Sequence, residues 1–142
     1  MPASAREQPR VAWREGVETR LHECGARGLC VIEQWCAPGT GAPTHTHFDV
    51  EEVIVVVDGI AEFRVDGVTT RVSSGGSIVL PPHSWHGFTN AGEGALHILA
   101  VFAAAHPRVE YEDEPGVVLE IGGAGARRRD AHRAYVDMEA ST

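Results

Sequence analysis

The sequence contains no lysine; its 12 basic residues are all arginines. Schiff-base and other lysine-dependent chemistry is therefore excluded. Positive charge is scarce altogether, with 20 acidic residues against those 12 and a net charge of −8. That imbalance speaks against nucleic acid or an anionic membrane surface as a partner. No apolar run approaches the roughly 18 residues that a membrane span needs, so none is expected. Residues 1–10 are polar, carry two prolines and lack the apolar core of a secretion signal. Cytoplasmic residence is the resulting expectation.

Cysteine is sparse as well. Cys24, Cys30 and Cys36 are an odd set, which argues against a disulfide framework. Their spacing lacks the Cys-x-x-Cys form of a thiolate metal site, so they read as small apolar residues in strands. There is no Gly-x-Ser-x-Gly elbow and no glycine loop that would cradle a phosphate. No helical period competes before Gly122.

What is present is a strand–turn rhythm. A length of 142 residues, 43% of them apolar, suits one domain with a real core. Residues 17–23 alternate apolar and polar, Gly25 to Gly28 form a turn, and a strand follows to Cys36. Residues 53–57 are an unbroken β-branched run, read as a buried strand, and Asp58-Gly59 ends it. Further short strands fit residues 60–65, 68–72, 77–80, 86–89, 95–104, 109–112 and 117–121. Many short strands with Gly, Pro and Asp-Gly turns indicate an all-β sandwich or barrel. Residues 1–10 are expected to be loose, 11–121 to form the barrel, and 122–142 to be a flexible tail or a short helix. That tail holds the basic run Arg127 to Arg129.

The chemistry concentrates in two stretches. His45 and His47 stand at i and i+2, so in a strand both point to one face. Glu51 and Glu52 follow, and His86 lies further on behind Pro81-Pro82. Imidazole and carboxylate together suit zinc, iron, manganese and nickel. Gly39, His45, His47, Glu52 and Gly59, followed by Gly75, Pro81, His86 and Asn90, resemble in order and spacing the two motifs of the cupin superfamily. The departure is His83, which stands where the family usually has glycine. The resemblance implies a single-domain cupin β-barrel, a double-stranded β-helix or jelly roll, and a homodimer. It implies metal ligands at His45, His47, Glu52 and His86. Glu52 is preferred to Glu51 because only Glu52 leaves six residues before Gly59 and shares the parity of Ile54 and Val56.

Around that site, Phe88 shares the parity of His86 and is expected to line the pocket, with Trp85, Gln34 and His97 as further candidates. For Gln34 and His97, parity leaves open which strand face turns inward. His83 is either an acid–base histidine near the mouth or a solvent-facing turn residue. His22, His106 and His132 are expected to be exposed. The resemblance and the ligand types imply an enzyme with one divalent transition metal acting on a small molecule, foremost a dioxygenase. Redox-neutral catalysis by an isomerase, cyclase, lyase or decarboxylase is the alternative, and a non-catalytic binding module the third reading. Protonation of the histidines is expected to release the metal steeply below about pH 6.

Overall fold

The computed structural model describes residues 3, 5–23 and 25–122. Its strands are β1 (Val11–Arg14), β2 (Val17–His22), β3 (Cys30–Cys36), β4 (Gly41–Thr46), β5 (Glu52–Asp58) and β6 (Ile60–Val65). They continue as β7 (Val68–Ser73), β8 (Ser77–Leu80), β9 (His86–Asn90), β10 (Leu96–Phe102), β11 (Arg108–Tyr111) and β12 (Val118–Glu120). One six-stranded sheet has the order β1-β2-β3-β10-β5-β8 and the other β12-β11-β4-β9-β6-β7. The two face each other as an all-β jelly roll. Among the described residues no helix is long and apolar enough to cross a membrane. Cys24, His132, the run Arg127 to Arg129 and most of the expected tail lie outside the described residues.

Alternation decides what is buried. Ile32, Ile54, Ile98, Ala100 and Phe102 point inward from the first sheet, and Ala42, Phe63, Phe88, Val109 and Tyr111 from the second. Each such large side chain contributes about 1.5–3 kcal/mol on burial. The run 53–57 is corrected by this pattern: only Ile54 and Val56 are buried, while Val53 and Val55 are half-buried and Val57 is exposed. A β-branched side chain suits the pleat on either face, so composition alone does not report burial.

Two turns carry the topology. Asp66 and Gly67 both take positive φ, 47° and 82°, which closes the hairpin between β6 and β7. Gly59 has φ of 105°, and a Cβ there would come within 3.1 Å of the Ala95 carbonyl oxygen. It is the corner where the chain leaves the first sheet for the second.

The edge strand β1 carries a bulge. Ala12 pairs with Glu18, but Arg14 rather than Trp13 pairs with Val17. The extra residue re-aims the chain, so Trp13 is buried and Arg14, paired with the buried Val17, is half-buried beside it.

Candidate metal centre

His45 and His86 are register partners on the adjacent strands β4 and β9. His47 stands one residue past β4, and Glu52 opens β5 on the facing sheet. The site thus bridges the two sheets at one end. All four side chains are buried. One ring nitrogen from each histidine lies within 4.8 Å of the others. Glu52 Oε1 is 3.2 Å from His86 Nε2 and 3.7 Å from His47 Nε2. Glu51 is exposed.

The outer nitrogens fix the tautomers. His45 Nδ1 donates to the Pro43 carbonyl at 2.6 Å, and His47 Nδ1 to the Arg108 carbonyl at 2.8 Å. Ser84 Oγ gives its proton to the Pro81 carbonyl at 2.8 Å, so at 3.2 Å it accepts from His86 Nδ1. A carbonyl can only accept, so the Nδ1 atoms carry the protons and the Nε2 lone pairs are left free.

Electrostatics makes the cluster incomplete without a cation. Burial lowers His45 and His86 to about 4, and His47 well below 6.5. Burial raises Glu52 to about 7. The 3.2 Å contact between His86 and Glu52 is therefore no salt bridge, since each partner is driven toward its neutral form. Glu52 Oε1 and His86 Nε2 are buried without a hydrogen-bond partner. A divalent cation would satisfy both atoms and reverse both penalties, so these residues fit a metal. The expected steep release below about pH 6 shifts downward here: burial keeps His45 and His86 neutral to about 4 and holds His47 well below its ordinary value.

His45, His47, Glu52 and His86 line a cavity of about 30 Å³, room for roughly two waters. Its walls include Gln34, Phe63, Phe88, Phe102 and Trp13. Trp85 and His97 are not among them. Trp85 is 37% exposed, because Ser84 and His86 on either side of it turn inward. His97 faces outward, since its neighbours Leu96 and Ile98 are core residues. It stacks on Trp35 and contacts Glu33 at 2.7 Å. His22, expected in solvent, is half-buried and bonds the same Glu33 at 2.6 Å. Burial raises the Glu33 pKa, but hydrogen bonds from His22, His97 and Arg20 outweigh it and bring it to about 2.

His83 is exposed and has φ of 67°, which explains why the family places glycine there. Asn90 serves the fold. Its amide donates to the Cys36 and Gly94 carbonyls and accepts from the Gly92 amide. Trp13 and Arg14 escape sequence reading because a bulge is invisible to period-two alternation. Ser84 could have been sought as a polar residue two before a motif histidine.

A family model described as a cupin domain matches residues 34–102. Acireductone dioxygenase of Schizosaccharomyces pombe is 28% identical over 98 residues, 66% of this chain. The chain spans about half, 50%, of that relative's length. An oxalate oxidase structure superposes with a TM-score of 0.63 at 20% identity, covering 68% of this chain and 55% of its own. An RmlC-like cupin from Shewanella frigidimarina gives 0.60 at 22% identity, with 70% and 86% covered. KdgF from Halomonas sp. gives 0.59 at 20% identity, with 74% and 89% covered. These structural likenesses establish the fold. The family match over residues 34–102 identifies a cupin domain there and, with the shared fold, supports the cupin superfamily.

Proposed function

We propose that His45, His47, Glu52 and His86 hold one divalent transition metal, and that the loaded protein oxidises or cleaves a small organic molecule with dioxygen. The supporting observation is the convergence of free Nε2 lone pairs on an unpartnered Glu52 oxygen. Iron, zinc, manganese and nickel all suit this donor set. When bound, the metal would supply Lewis acidity and, for iron, redox chemistry toward dioxygen. The chain's own share is to orient ligands through the Nδ1 bonds and to exclude water with Phe63, Phe88 and Phe102.

The likeness to acireductone dioxygenase and to oxalate oxidase favours the oxygen-dependent reading over redox-neutral catalysis. Cytoplasmic residence and a homodimer belong to the same reading; the buried free thiol of Cys36 fits a reducing compartment. The test is elemental analysis of protein purified without chelators, with oxygen uptake measured on acireductone and on oxalate. A redox-active metal with uptake on either supports the proposal. Zinc with no uptake turns the reading to an isomerase, cyclase, lyase or decarboxylase. An empty site leaves a small-ligand binding module.

A further inference from the structure

We infer that Arg14, half-buried and seated over Trp13, a wall of the metal-site cavity, anchors the carboxylate of a short organic acid, with Gln34 as the accompanying polar contact. The inference rests on the metal-site reading above and names the substrate class for that site.

The bulge in β1 pairs Arg14 with Val17, where strict alternation would have sent it to solvent. Its guanidinium carbon lies 4.7 Å from the centre of the Trp13 ring, and Trp13 is a cavity wall. Arg14 Nε is buried with no hydrogen-bond partner. No carboxylate among the described residues pairs with this side chain, although acid outnumbers base in the sequence as a whole. A buried donor on a cation without an acceptor is costly, and a bound carboxylate removes that cost. The charge of Arg14 also reaches the metal ligands, where it is one of the lesser influences disfavouring protonated His45.

Gln34 supplies the second polar group. It is 5% exposed, lines the cavity, and its amide makes no hydrogen bond among the described residues. The other walls near it, Ile32, Ile98 and Ala42, are apolar. Apart from the proposed metal ligands, Gln34 is thus the polar group among the cavity walls, and Arg14 is the cation packed behind Trp13. A planar guanidinium matches one carboxylate through two parallel hydrogen bonds. A phosphate dianion would bring more charge than one arginine neutralises. The cavity is small, about 30 Å³, which favours the shortest acids and those that displace its waters.

The test uses cobalt(II)-loaded full-length protein and calorimetric titration with oxalate, glycolate, pyruvate and pyruvamide, the neutral counterpart of pyruvate. Cobalt uptake is measured first, on its own, in every variant. The expected result is that at least one acid binds and that pyruvamide binds more weakly than pyruvate. Arg14→Met should weaken the acids by about tenfold or more, leave pyruvamide unchanged and keep full cobalt uptake. Arg14→Lys, which keeps charge without the fork, should recover part of the loss. Gln34→Leu should weaken the acids several-fold. Thermal melts identify any variant that misfolds, and Arg14→Lys then carries the comparison. Acids binding Arg14→Met or Arg14→Lys as tightly as the wild type would overturn the anchor. So would equal binding of pyruvate and pyruvamide, or no acid binding to cobalt-loaded wild type. Failure of the wild type to take up cobalt counts instead against the metal site. Metal-free protein should still show the Arg14-dependent preference for pyruvate, which separates the two claims.

Discussion

Glu52 and the histidines respond to burial in opposite directions, and this sets how protons compete with metal. In the metal-free protein the imidazoles are already neutral at pH 7, while Glu52, raised to about 7, is half protonated there. Metal binding at pH 7 should displace about half a proton, and that proton comes from Glu52. Apparent affinity should fall about tenfold per pH unit below 7, and steepen only near pH 4, where His45 and His86 begin to protonate. Competition titrations from pH 8 to 5 measure this; a three-proton slope starting near pH 6.5 would contradict it. A second expectation separates ligand from bystander. His47→Ala should lose most of the metal, because it deletes a buried donor, whereas His83→Ala should keep it, because His83 is an exposed turn residue. Elemental analysis decides; equal loss in the two variants would make His83 a ligand. The histidines and Glu52 were legible as a group because motif spacing records which residues must meet. Their protonation was not, because it depends on how deeply the folded sheets bury them.

At the scale of elements, the strands are dictated locally and their facing is not. Period-two alternation marked β2, β6 and their turns, because each buried face is written within its own strand. The strand β10 could be drawn from its apolar run, yet whether His97 or Ile98 faced inward required its neighbours. Pairing of Ile98 with Gln34 on one side and Val56 on the other puts all three on the inner face. The corner at Gly59 is where local geometry matters most. Gly59→Ala should destabilise the fold by about 1–3 kcal/mol, because φ of 105° is forbidding for a Cβ that would also press on the Ala95 oxygen and Leu96 Cα, both at 3.1 Å. Chemical denaturation checks this, and an unchanged midpoint would show that the corner relaxes freely.

For the whole molecule, the outer face of the first sheet matters. Val31, Val101, Val53 and Val79 form a register-matched row across four adjacent strands, all pointing away from the core. Val79 is 55% exposed in the isolated chain. An apolar row on a flat sheet suits a second copy of the chain, and Val101→Glu should convert a dimer to a monomer by placing a charge in its middle. Light scattering measures it; a wild-type monomer at micromolar concentration would end the homodimer reading.

The sequence by itself determined the strand content, the turns and the identity of the clustered chemical groups. Those follow from local rules: a pleat imposes period two, a positive φ demands glycine or its tolerant substitutes, and a motif fixes spacing. The tertiary structure alone decided which strand face became interior, that Trp85 and His97 stand outside the cavity, and that Arg14 lies over Trp13, one of its walls. It also decided that Ser84, Pro43 and Arg108 hold the outer nitrogens of the histidines. Each of these depends on contacts between residues far apart in the chain, and on a one-residue bulge that no local pattern announces. Desolvation, which moves Glu52 and the histidines in opposite directions, exists only once two sheets have closed over them.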